Sequence, residues 1–334
     1  MEYSNDKYDV IEYCFPQSNL SCTRKARTRN DYVVMYVFFS SISVFTVFVN
    51  LLVIISICHF KQLQTPTNIF ILSMAVADLF IGGIVMPVES MRLVESCWFL
   101  GESLCNFYPA VMTILVSASL GHLVFIAVDR YLAVCEPFFY ASTMTVGKSV
   151  ACIVICWLSS ALYNLTLLNV NENMNNPHRQ SSCVGECLLL IDFTWGMVDV
   201  VISFILPCSI LFTLYLIIFF VARNQARVIN AQSGNMSNNA KCVISKSSDR
   251  KAAKTLGIVI FVYLLGWIPY YISILTQEST SVAVYVLSWL MYINSFVNPL
   301  IYALFYPWFK VSVRHIVTLK ILHTSSSHLH LLPS

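Results

Sequence analysis

Charge is scarce in this chain. Only 11% of its 334 residues are Asp, Glu, Lys or Arg, whereas a soluble domain carries about 25%. With 57% hydrophobic residues and a mean hydropathy of +0.70, the expectation is an integral membrane protein, not a water-driven globule. The motifs of catalysis are missing too. There is no HExxH, no phosphate-binding loop and no dinucleotide-binding glycine pattern, so no enzyme is expected. A net charge of +3, with no basic patch interleaved with aromatics, argues against nucleic acid. No apolar run near Met1 reads as a cleavable signal. No inverted repeat or pair of broken segments reads as a transporter.

What is present is long apolar runs. The stretch from Cys105 to Tyr131 has no charged side chain between Asn106 and Val128, then ends in Asp129-Arg130-Tyr131. About 20 apolar residues cross a bilayer as a helix, and a charge pair at the mouth of such a helix points to a functional site. Seven such segments are predicted at 32–58, 67–92, 102–134, 147–169, 192–222, 253–275 and 283–305. The predicted fold is all-α: a seven-transmembrane helix bundle over 32–306, an extracellular tail over 1–31, and a short amphipathic eighth helix with a cytoplasmic tail over 307–334. Thirteen Lys and Arg residues fall on one side and seven on the other, which puts the N-terminus outside and the C-terminus in the cytoplasm.

Polar side chains interrupt these segments. Asp78 falls near mid-membrane, where a lone carboxylate must be protonated or paired. Glu89 lies 11 residues on, about three helical turns, which aims it into the bundle; the alternative is an interfacial residue touching nothing. Asp199 sits about two turns inside the fifth segment. Facing lipid there would cost about 2.5–3.5 kcal/mol, so it should face the bundle or a wet cavity. His122 is expected to be packed or bonded within its helix.

The N-terminal tail holds Cys14, Cys22 and the sequon Asn19-Leu20-Ser21, which suit an extracellular segment. Cys105 opens the third segment, and Cys183 and Cys187 lie in the loop after the fourth. Three loop and two tail cysteines allow two bridges whose connectivity the spacing leaves open, with Cys97 as an unpaired candidate. Asn164 and Asn235 also sit in sequons, one inside the membrane and one on the cytoplasmic side, so neither is expected to be glycosylated.

Together the seven segments, Asp129-Arg130-Tyr131, Gly266-Trp267-Ile268-Pro269 and Asn298-Pro299-Leu300-Ile301-Tyr302 resemble the rhodopsin-like G-protein-coupled receptors over nearly the whole chain. The run from Asn294 to Phe309, the tail Cys14 to Cys22 and Cys183-Val184-Gly185-Glu186-Cys187 are similar to the trace amine-associated receptors. The resemblance implies bridges Cys105–Cys187 and Cys22–Cys183. It implies an allosteric sodium site of Asp78, Ser119, Asn294 and Ser295, with no cofactor required, and Trp267 as a packing switch beneath the ligand. It pairs Arg130 with Asp129 and, at rest, with Asp249. On activation Tyr215 and Tyr302 would restack as the foot of helix six swings out and a heterotrimeric G protein enters. A stimulatory G protein, olfactory neurons and the plasma membrane are further implications.

One departure from that family matters most. Its amine receptors place an aspartate on helix three, but 18 residues before Arg130 this chain has Met112. Asp199 stands in the right layer of helix five to replace it, a pattern that some fish members resemble. Tyr270, Tyr271 and Tyr292 are placed to cage the cation, and Glu89 to hold a second ammonium if the ligand is a diamine. Gly266 replaces a cysteine of many relatives and is expected only to soften a kink. The rival reading is a rhodopsin-like receptor for a peptide or lipid. An opsin is excluded, since segment seven has no lysine before Lys310.

Overall fold

The computed structural model describes residues 12–174, 183–187, 192–232, 257–258, 261–272, 282–305, 307–322 and 327. Its first helix, α1 (Arg29–His59), starts at a reciprocal cap. The Thr28 hydroxyl accepts from the Asp31 amide, and the Asp31 carboxylate accepts from the Thr28 amide, both at 3.2 Å. The second span is α2 (Pro66–Phe80), a π turn over Ile81–Val85, and α3 (Met86–Glu95). The third is α4 (Glu102–Cys135), followed by the short α5 (Pro137–Thr143). The fourth is α6 (Val146–Met174). The fifth joins α7 (Phe193–Asp199) through a π segment, Val200–Ile205, to α8 (Leu206–Gln232). The sixth is described as α9 (Phe261–Ile272) and the seventh as α10 (Val282–Phe305), with α11 (Pro307–Val317) after it.

Both π segments precede a proline, Pro87 or Pro207. Each ring lacks an amide hydrogen and crowds the carbonyl four residues back, Gly83 or Ser203, and the widened turn relieves that crowding. Among the described residues, five helices are long and apolar enough to cross a membrane. The first five spans overrun their predicted C-terminal ends. The second continues to Glu95, so Arg92, expected in a loop, is helical.

α4 is the central helix and packs on α2, α6 and α8, while α1 packs on α2 and α10. Phe38 and Phe45 on α1, Leu158 and Leu162 on α6, and Phe212 on α8 point outward and exposed, as suits a surface solvated by lipid tails. His122 is fully buried; its Nδ1 donates to the Ala118 carbonyl at 2.5 Å, and its Nε2 is 2.8 Å from Ser73 Oγ.

The outer end is stitched together. A two-stranded hairpin pairs β1 (Glu12–Tyr13) with β2 (Thr23–Arg24). The structure has three disulfides in this cap: Cys22–Cys183, Cys105–Cys187 and Cys14–Cys97. The third corrects the expectation of two bridges with Cys97 unpaired. The tail lies between the loop at Cys97 and the loop at Cys183–Cys187, close enough to be tied to both. Its backbone exchanges bonds with Val184 through Cys22 and Leu20, and Trp98 N–H donates to the Gly185 carbonyl at 2.8 Å. Gly185 has φ +105, and a Cβ there would come within 2.8 Å of Cys14 Cβ, so only glycine fits the turn. Asn19 is exposed in a turn of this tail, while Asn164 is buried and bonds the Ser160 carbonyl.

Candidate functional site

Polar residues collect at three depths of the bundle. The outermost group surrounds Trp267, which is buried and stacks on Tyr263 and Tyr271 at 5.4 and 5.7 Å, with Tyr270 edge-on at 6.2 Å. Tyr271 also stacks on Phe204 of the fifth span at 4.5 Å. On the opposite wall the Tyr292 hydroxyl donates to Met112 Sδ at 3.2 Å. That wall therefore presents a thioether and a phenol, with no charge.

Asp199 is the last residue of α7 and faces inward. Its Oδ1 accepts from the Tyr163 hydroxyl of α6 at 3.0 Å and from Ser203 Oγ at 2.6 Å. The Asp199 charge acts on the hydroxyls of Tyr270 and Tyr271, and that of Glu89 on Tyr270 and Tyr292. Tyr270 thus feels both carboxylates, Tyr271 only Asp199 and Tyr292 only Glu89. Glu89 is buried, which selects the inward reading over the interfacial one. It already has a counter-ion, however. Arg92 Nη1 is 2.7 Å from Glu89 Oε1, the Tyr108 hydroxyl donates to the same oxygen at 2.9 Å, and Arg92 Nη2 donates to the Cys187 carbonyl.

The middle group centres on Asp78, which is fully buried. Ser119 Oγ donates to Oδ1 at 2.8 Å, Asn298 Nδ2 donates to Oδ2 at 3.0 Å, and Ser295 lies within hydrogen-bonding reach. A cavity of about 20 Å³ beneath Trp267 is lined by Ser119, Asn294, Ser295 and Asn298. It has room for one water-sized particle. The Asn294 amide nitrogen is buried with no partner among the described residues. Two hydroxyls and amide oxygens line this space, and the Asp78 carboxylate stands behind them, bonded to Ser119 and Asn298; such oxygen donors fit a hard monovalent cation such as sodium. Gly266 borders this layer. A Cβ there would meet Asn294 Nδ2 at 2.6 Å and the Leu290 carbonyl at 2.9 Å. It lies at a close contact between the sixth and seventh spans, which the expectation of a softer kink did not include.

The innermost group is at the cytoplasmic end of α4. Arg130 bonds Asp129 Oδ2 through Nη2 at 2.7 Å and through Nε at 3.1 Å, and also bonds Thr67. Thr67 Oγ1 donates to Asp129 Oδ2 at 2.6 Å, and the Tyr140 hydroxyl of α5 donates to Oδ1 at 2.9 Å. Burial pushes the Tyr140 phenol above its ordinary pKa, and the Asp129 charge adds to the shift. Tyr131 packs against the core, and the Tyr215 ring presses on the backbone of Gly257. Asp249 and the Tyr302 side chain lie outside the described residues; Pro299 is inside α10.

Sequence reading missed Tyr163, Ser203, Tyr108, Thr67 and Tyr140. Ser203 had a signal in its spacing, four residues after Asp199 and so one turn on. The others reach their carboxylates from different helices, which no local pattern reveals.

The chain matches the model of seven-transmembrane receptors of the rhodopsin family over residues 49–302. It is 39% identical over 339 residues to trace amine-associated receptor 13c of Danio rerio, covering 99% of both chains. Trace amine-associated receptor 6 of Pan troglodytes is 37% identical, with 96% of each chain covered. Trace amine-associated receptor 7d of Mus musculus is 38% identical over 96% of this chain and 92% of its own.

Proposed function

This chain belongs to the rhodopsin family of seven-transmembrane receptors and, within it, to the trace amine-associated receptors; from that premise we propose that it senses small amines through Asp199. It is a membrane receptor that couples to a G protein and not an enzyme.

The observation that carries the reading is a difference among carboxylates. Glu89 and Asp129 each have an arginine, Arg92 and Arg130. Asp78 and Asp199 have only neutral donors among the described residues. Asp78 is fully buried and Asp199 half-buried. A carboxylate out of water without a counter-ion is costly, so Asp78 calls for a cation from outside the protein, and Asp199 calls for one once a ligand covers it. At Asp199 that cation is the ligand ammonium. Tyr270 and Tyr271 flank it, and Met112 with Tyr292 holds the apolar body of the ligand against α4 and α10. At Asp78 it is sodium, held by Asp78, Ser119, Asn294 and Ser295, where it would neutralise the carboxylate.

The receptor stands in the plasma membrane with its N-terminus outside and Asn19 glycosylated, and it serves olfaction through a stimulatory G protein. Arg130 pairs with Asp249 at rest. Support for this orientation comes from the Lys and Arg imbalance and from three disulfides gathered at one end.

An alkylamine with a pKa of about 10.4 arrives charged and needs a partner once desolvated. Asp199→Asn keeps the shape and removes the charge. Since breaking a buried pair costs about 3–5 kcal/mol, potency should fall by about two to three decades. A variant at normal surface level that answers amines at unchanged concentration would return the peptide or lipid reading to first place.

A further inference from the structure

We propose that Tyr163 and Ser203 join Asp199 in a three-acceptor socket that selects primary ammonium groups over N-methylated ones. The proposal rests on Asp199 being the amine anchor.

The two hydroxyls converge on one oxygen of the carboxylate. Tyr163 reaches Oδ1 from α6 at 3.0 Å, and Ser203 reaches it from within the π segment at 2.6 Å. Oδ2 accepts no hydrogen bond among the described residues. Ser203 is unusual in this use of its hydroxyl. Ser56, Ser209 and Ser41 each turn back to the backbone carbonyl four residues earlier, whereas Ser203 bonds the side chain of the residue at that position. The arrangement holds the carboxylate by one edge and leaves the other edge available.

A hydroxyl that donates one hydrogen bond still carries acceptor lone pairs. Oδ2, the phenolic oxygen of Tyr163 and Ser203 Oγ are therefore three acceptors around one carboxylate. A primary ammonium brings three N–H donors and can satisfy all of them. An N,N-dimethylated ammonium brings one. It would take Oδ2 and press two methyl groups against hydroxyls whose lone pairs then go unmatched away from water, where an unmade bond is costly.

The test uses the full-length receptor, labelled at the cell surface, in a G-protein dissociation assay. Hexylamine and phenylethylamine are each compared with their N,N-dimethyl derivatives. Hydrogen bonds to a charged group correspond to about tenfold or more each, so wild type should prefer the primary member by at least about tenfold. Tyr163→Phe and Ser203→Ala should each lower that preference about tenfold, chiefly by weakening the primary amine. Ser203→Thr keeps a hydroxyl and should retain the preference, which separates lost contact from misfolding. Should wild type favour the dimethyl members, or both deletions leave the ratio unchanged, the socket is wrong, and the Asp199 anchor survives as long as Asp199→Asn loses both members. If Asp199→Asn loses neither, or surface-expressed wild type answers no amine in the panel, the anchor itself falls and the socket with it.

Discussion

Glu89 and Arg92 meet at 2.7 Å one turn apart on α3, and Arg92 spends a second nitrogen on the Cys187 carbonyl of the outer loop. Glu89 is therefore a neutralised carboxylate that anchors the loop.

That pairing sets the first prediction. Glu89→Gln should lower stability by about 1–3 kcal/mol, less than for a fully buried pair because Arg92 keeps some solvent. Monoamines and diamines should lose potency alike, within about tenfold, because Arg92 has already claimed the charge. A loss confined to diamines would mean that Glu89 releases Arg92 to bind a second ammonium. Concentration–response curves for butylamine and 1,4-diaminobutane decide between the two.

Gly266 gives the second. Alanine there would place a methyl group 2.6 Å from Asn294 Nδ2 and 2.9 Å from a backbone carbonyl. The backbone cannot step aside cheaply, and overpacking of this kind costs about 1–3 kcal/mol. Gly266→Ala should lower the Tm of the purified receptor; an unchanged Tm would refute so close a helix contact.

The third concerns Asp129. Tyr140→Phe removes one donor to its carboxylate, and Thr67→Ala removes another. Each lost bond is worth about 1 kcal/mol, or roughly a fivefold change in the balance between bundle packings. Ligand-free signalling should rise in both variants, and more in the pair. Constant basal signalling at matched surface level would show that the cluster does not hold the cytoplasmic end closed.

The fourth is chemical. Peptide mapping without reduction should recover Cys14–Cys97 alongside Cys22–Cys183 and Cys105–Cys187. Cys97→Ser should leave Cys14 reactive to maleimide and reduce stability by about 2–4 kcal/mol. Recovery of unmodified Cys97 as a free thiol in wild type would contradict the bridge.

Much of this architecture was legible because a bilayer constrains sequence strongly. Twenty apolar residues, an interior carboxylate and an interior proline each have few permitted explanations. Asp78 and Asp199 could be singled out by the cost of burying charge, and Met112 by counting turns from Arg130. What stayed hidden was set by contacts between helices. Whether Glu89 was free depended on where Arg92 pointed, and Arg92 had read as a loop residue. Gly266 read as a local kink because its partner, Asn294, is on the next span. Cys97 read as unpaired because the tail that reaches it has no periodicity to place it.

The cap also has an order of assembly written into it. Synthesis runs from the N-terminus, and Cys14 and Cys97 both emerge before residues 183–187 exist. Their bridge can close once the first two spans are inserted. Cys22 must wait for a partner 161 residues away, and Cys105 for one 82 residues away. During that interval Cys22 and Cys105 face the same compartment with no native partner, and joining them to each other would be a trap that only thiol exchange undoes. An early Cys14–Cys97 link holds the tail at the first loop through that wait. Cells short of disulfide isomerase should then accumulate chains in which this bridge is formed and the two later ones are not.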